Sequence, residues 1–196
     1  VAYERVKIDS QGEDEDLLYI MDVNNHVIIQ VVLRGKQAGE PANGEAYVEA
    51  EILWGKEGVS GFDGDGDANW DETARFNQIE TMITNFTSTA TGMKAVYHIA
   101  DIQNQRVRKI VEEENFSNNS ESNSMSTAAG IGMSYYNSTN IQASSAWLYA
   151  PRNSAFDKDG NYYVADQVNH IIRKIDTQGV ITNVAGQPGV SGFSGD

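Results

Sequence analysis

Five oxygen-bearing side chains alternate along one short acidic run, Asp63, Asp65, Asp67, Asn69 and Asp71 in DGDGDANWDE. A hard cation such as calcium is held by carboxylate and amide oxygens at this kind of spacing. The run departs from an EF-hand at two places. Ala68 stands where the sharp turn takes Gly, and Ala74 where the bidentate Glu belongs. Two readings stay open: a calcium site local to this run, or solvated acids on a segment crossing between elements. His26, His98 and His170 are the other residues able to hold a metal or act as a base. No nucleophile or paired carboxylate accompanies them at an interpretable spacing, so they are expected to pack rather than to catalyse.

A second kind of chemistry is covalent modification. The acceptor pattern Asn-x-Ser/Thr occurs at Asn85, Asn115, Asn118 and Asn137. The last three lie in Glu112 to Ser145, a stretch rich in Ser, Asn and Thr and too polar to build a core. It is expected to be a long solvated loop, with all four acceptors in loops, and points to a glycosylated extracellular or cell-surface protein. Its Ser and Thr hydroxyls are further acceptors for O-glycans. Trp54, Trp70, Trp147, Tyr135 and Tyr136 are expected outside the cores, either exposed for contact with glycan or protein or buried beneath a loop.

Composition narrows the partners. The chain has 196 residues, 14 Lys+Arg against 28 Asp+Glu, and a net charge of -14. Phosphate backbones and anionic membrane surfaces attract the opposite sign, so the charge argues against nucleic acid and an anionic membrane surface as partners, and neither nucleic-acid binding nor membrane insertion is expected. There are no cysteines, hence no disulfides and no thiolate metal site. No stretch approaches the length of a membrane-spanning apolar run, and the opening VAYERVKID is not a signal peptide. A secreted form would take its leader from outside this sequence.

The elements that would position these residues repeat. LLYIMDVNNHVIIQVV, AVYHIADIQNQRVRKI and the stretch around Asn161 share one register, with Asp22 and Asn25, Asp101 and Asn104, and Asp166 and Asn169 at matching places. Two residues before each Asp stands Ile20, Ile99 or Val164, and nine after it Val31, Ile110 or Ile175. Alternation of this kind marks strands that bury one face, while Asp and Asn at the turn accept bonds from unpaired amides. Tyr162 to Ala165, Ile171 to Ile175 and Val180 to Val184 read as an antiparallel meander. GVSGFDGD from Gly58 recurs as GVSGFSGD from Gly189. A lone sheet cannot bury both faces, so an all-β array of stacked copies is expected, a propeller or a solenoid.

These residues resemble the NHL-repeat β-propellers. The NH pair is present at Asn25-His26 and Asn169-His170, with Gln105 in place of His in the middle copy. Ile181 to Gly186 and Gly192 to Asp196 follow the family pattern, as does Pro151 before the strand, where Gln78 replaces proline in the preceding copy. The resemblance implies one propeller region over 1–196, with repeats at about 1–57, 58–111 and 146–196 and an insertion at 112–145. The three Asp positions lie further apart than the roughly 40 to 50 residues common for propeller repeats. Three repeats also fall short of the about four to eight blades that close a ring. The reading adopted is an excerpt of a longer array; completion by other copies, as a ring or filament, is the alternative.

Function is read accordingly as a non-enzymatic extracellular structural and interaction module, its partners being further blades, other copies of itself and glycans. Arg108-Lys109 and Arg173-Lys174 are expected to face solvent or to pair between blades. The resemblance also carries an alternative, a metal-dependent propeller enzyme, a lyase or lactone hydrolase, with histidines gathered at a central opening. RNA-binding relatives of the fold are disfavoured by the acidic charge.

Overall fold

The structure is a computed structural model that describes residues 2–7, 14–34, 47–66, 73–118 and 120–192. It is all-β, with three antiparallel sheets. Sheet 1 comprises β1 (Ala2–Lys7), β2 (Asp14–Asp22), β3 (Val27–Arg34) and β4 (Tyr47–Gly55). Sheet 2 comprises β5 (Ile79–Thr89), β6 (Gly92–Asp101), β7 (Arg106–Asn115) and β8 (Ser120–Ala129). Sheet 3 comprises β10 (Pro151–Phe156), β11 (Tyr162–Asp166), β12 (Ile171–Ile175) and β13 (Val180–Gly186), with the short β9 (Ile141–Gln142) added beyond β13. Apart from β9, each strand pairs with its neighbours in the chain. Such connections need only hairpins, which the polar turns at Asp22–His26, Asp101–Gln105 and Asp157–Gly160 supply.

Period-2 alternation sorts the side chains between sheets. On β2, Leu17 and Tyr19 point into a core shared with Ile28, Trp54, Phe76, Tyr97, Ile99 and Met125, which joins sheets 1 and 2. A second core joins sheets 2 and 3 through Val107, Ala129, Leu148, Tyr162, Val164 and Ile181. The aromatic contacts repeat with the register. Tyr19 meets Tyr97 edge-on with centroids 5.9 Å apart, and His98, the next residue at the Tyr19 position, stacks on Tyr162 at 4.7 Å.

The repeat extends to irregularities. The third and fourth strands of each sheet slip register at one place, between Ile28 and Ile29, between Val107 and Arg108, and between Ile172 and Arg173. A bulge at the same point adds twist to each sheet in the same way. The residue ending each central turn, His26, Gln105 or His170, is left-handed, with φ 61, 54 and 58.

Two expectations are corrected. Glu112 to Ser145 is not one solvated loop, because it holds the end of β7, all of β8 and β9. Ser120–Ala129 is polar, yet Met125 and Ala129 are buried and β7 takes up its backbone bonds, so pairing overrides composition. Trp54, expected outside the cores, is 2% exposed within β4 and packs edge-on against Tyr97 at 4.7 Å.

Candidate functional site

The repeated Asp and Asn do not merely close their own turns. Asp101 accepts the backbone amide of Asn77 at 2.7 Å and the side chain of Asn104 at 2.8 Å. Asn104 in turn donates to the carbonyl oxygen of Gly61. Asp166 accepts the amide of Tyr149 at 2.7 Å and Asn169 at 2.9 Å, while Asn169 donates to the Tyr135 carbonyl at 2.8 Å. In both copies the pair seizes the segment arriving from the preceding sheet at two points. In sheet 1 the side chains of Asp22 and Asn25 bond to each other, with Asn25 Nδ2 2.9 Å from Asp22, and Asn25 is exposed.

An arginine seven residues after each of the last two Asp completes the node. Arg108 and Arg173 are fully buried, which corrects the solvent-facing half of the expectation, and they bond to the segments that connect the sheets, in line with its other half, pairing between elements. Arg108 donates to Asp65 at 2.8 Å, to the carbonyl oxygens of Asp63 at 2.6 Å and Arg75 at 3.2 Å, and lies 3.4 Å from Asp101. Arg173 lies 3.6 Å from Asp166 and donates to the carbonyl oxygens of Trp147 and Ser138. Burial pushes the Asp101 carboxyl up to about 6, against the pull of Asn104, the Asn77 amide and Arg108. Asp166 is raised for the same reason. A buried guanidinium is tolerated where several acceptors, carboxylates and backbone carbonyls together, satisfy its N–H groups. In sheet 1 the equivalent residue is Ile29. The signal for these arginines was parity: position seven after the Asp shares a face with core position nine, Ile110 and Ile175.

The acidic run is divided by this arrangement. Asp65 is held by Arg108 and by the hydroxyl of Thr127, so its charge is already compensated. Asp63 contributes its carbonyl to the same arginine and its carboxylate caps the amide of Gly64 at 3.0 Å. Asp67, Asn69 and Asp71, and with them Trp70, lie outside the described residues. Among the described residues no group of three or more His, Asp or Glu is placed to hold a metal ion.

The three histidines do different work. His98 is 8% exposed, stacked on Tyr162 with Phe156 edge-on at 5.1 Å, and desolvation lowers its pKa to about 3. His26 Nδ1 accepts the amide of Gln78 at 3.4 Å, and the equivalent Gln105 Oε1 accepts the amide of Ala150 at 2.7 Å. Each is a latch from the turn of one sheet to the entry of the next. His170 holds the same place on sheet 3; it is exposed, and its ring has no hydrogen-bond partner among the described residues.

The four sequons are exposed. Asn85 sits within β5 and Asn115 ends β7, which corrects the expectation of loops for both, while Asn118 and Asn137 lie in a turn and a connection. Asn137 differs in making structure: it donates to the Ser145 carbonyl and accepts the Trp147 amide, each at 2.9 Å. Of the remaining loop aromatics, Tyr135 is 66% exposed, Trp147 and Tyr136 are half-buried, and Arg173 lies 5.2 Å from the Tyr136 ring centroid. No helix among the described residues is long and apolar enough to cross a membrane.

No protein-family model matches the chain, and no curated protein matches it.

Proposed function

We propose that the chain is a run of NHL-like propeller blades serving as a non-enzymatic structural and interaction module of an extracellular glycosylated protein. Its blades stack on further blades or on other copies of the same chain. One observation carries this reading: the repeated polar residues are engaged in joining sheet to sheet. Asp101, Asn104 and Arg108, like Asp166, Asn169 and Arg173, direct their polar atoms at the entering segment rather than into an opening. Side chains committed in this way hold a stack together and are not free for proton transfer. The exposed sequons at Asn85, Asn115, Asn118 and Asn137 and the hydroxyl-rich face of β8 support the glycosylated setting.

Sedimentation velocity over a range of concentrations, with electron microscopy of the same material, tests the stacking. Concentration-dependent association into rings or filaments is expected of the chain by itself, and uniform monomers would remove self-assembly. Intact mass of material from a secreting host, before and after glycosidase, tests the glycans; no mass change would remove that part.

A further inference from the structure

Sheets 1 and 2 receive the next sheet through one short segment with a fixed pattern. Entering sheet 2 it is Ala74, Phe76 and the amide of Gln78; entering sheet 3 it is Ala146, Leu148 and the amide of Ala150. All four of these side chains, Ala74, Phe76, Ala146 and Leu148, are fully buried. Phe76 is buried in the first core with Ile28 and Trp54, and Leu148 in the second with Val107 and Ala129. The amide two residues on meets His26 or Gln105, and the Phe76 carbonyl accepts the amide of Gly61 at 3.1 Å.

Sheet 3 presents the same receiving face with nothing on it among the described residues. Ile172 occupies the position of Ile28 and Val107, yet it is 38% exposed where they are 0%. Ala185, at the position of Trp54 and Ala129, is exposed too. With Ala165, His170 and Gly186 these residues line a cavity of about 200 Å³, where Phe76 covers sheet 1. Gly189 donates to the carbonyl of Asn169 at 3.0 Å just as Gly58 donates to that of Asn25, so Gly192 follows the path of Gly61.

We propose that this face is a docking site for an extended sheet-entry segment from a further sheet of the same kind. The segment carries a small residue, an apolar side chain two positions on, and a backbone amide two further on. The apolar side chain fills the cavity over Ile172 and Ala185, its carbonyl takes the Gly192 amide, and the last amide meets the His170 ring. The inference rests on the stacking reading above and names the chemistry of the partner.

A synthetic peptide of Thr73 to Glu80, TARFNQIE, titrated into the full chain and followed by amide NMR shifts, tests it. Saturable shifts confined to the surroundings of His170, Ile172, Ala185 and Gly192 are expected. The peptide with Phe76→Ala should bind about tenfold more weakly or worse. Ile172→Lys in the protein should abolish the shifts, and His170→Ala should weaken binding severalfold without unfolding an exposed site. Absence of shifts, shifts elsewhere, or equal binding of the Phe76→Ala peptide would overturn the proposal. Sedimentation keeps the two readings apart. Association of the chain without peptide binding removes this docking mode alone, and peptide binding by a strictly monomeric chain leaves the docking mode in place while removing self-assembly.

Discussion

Arg108 donates to Asp65 at 2.8 Å from a fully buried position, and through that bond the segment leaving sheet 1 is fixed to the third strand of sheet 2. Its other arm lies 3.4 Å from Asp101, so one guanidinium balances two carboxylates beneath the ring of Phe62, whose centroid is 4.5 Å away. Removing it leaves Asp101 buried without its ion-pair partner. Arg108→Met is therefore expected to lower unfolding stability by roughly 3–5 kcal/mol. Adding Asp101→Asn should restore part of the loss, because the uncompensated charge goes with it. Urea unfolding of the single and double variants measures both quantities, and equal stability of the two would contradict the ion-pair account.

His98 makes the contact between sheets 2 and 3 sensitive to acid. Its folded pKa is lowered to about 3 by desolvation and by Lys109, below the ordinary 6.5. A base with a depressed folded pKa contributes stability that is lost as pH falls from about 6.5 toward about 3, since the unfolded chain takes up the proton first. Asp101 runs the other way: raised from 3.8 to about 6, it contributes stability that is lost as pH rises through that window. His98→Phe isolates the first effect. It preserves the stacking on Tyr162 and removes the unpartnered Nδ1. The variant should match or slightly exceed the parent at pH 7 and gain about 2 kcal/mol over it at pH 5. Denaturant melts at the two pH values decide this; an unchanged gap would mean that the ring is already protonated or hydrated in the fold.

The meander was legible from Tyr162 to Val184 because turn chemistry and alternation agree there; β11, β12 and β13 occupy those runs. The role of Asp101 and Asp166 was legible only by half. Their fixed places in the repeat marked them as turn residues, but the Asn77 and Tyr149 amides they hold are 24 and 17 residues away, and no local pattern points to them. For Arg108 and Arg173 a pairing role was one of two readings, but their full burial was not legible, because a charged residue ordinarily belongs on the surface. Burial becomes favourable here through carboxylates beside the guanidinium together with carbonyls that the crossing segment delivers. β8 was missed for the converse reason, since alternating serines carry no apolar signal and the strand exists by pairing with β7.

Gly186 closes the third sheet at φ 80, and a Cβ there would stand 2.2 Å from the carbonyl oxygen of His170. Gly189, three residues on, has nothing within 4 Å of such an atom although its φ is 74. Both substitutions by Ala bring left-handed strain, on the order of 1 kcal/mol. Only Gly186→Ala adds a backbone collision, and with it a displaced His170 turn. Thermal unfolding should therefore separate the pair clearly, with Gly186→Ala lower. Matching transitions would show that the turn yields to accommodate the methyl group.

Replacing the sequon asparagines to test for glycans will not be neutral at every position. Asn85, Asn115 and Asn118 are exposed, and their described bonds are local: Asn115 accepts the Ser117 amide at 2.9 Å, and Asn118 the Ser120 hydroxyl at 2.7 Å. Gln at these sites should change stability by no more than about 0.5 kcal/mol. Asn137 instead spans to Ser145 and Trp147, and its neighbour Ser138 supplies a carbonyl to buried Arg173. The longer side chain of Gln cannot keep both bonds in place, so Asn137→Gln should cost about 1–2 kcal/mol in unglycosylated protein. Melting of the four variants made in a host that adds no glycans measures this directly. Four indistinguishable transitions would show that the connection from Asn137 to Trp147 does not depend on its asparagine. If Asn137→Gln alone melts lower there, its loss of secretion from a glycosylating host would have to be credited to folding before it is credited to a glycan.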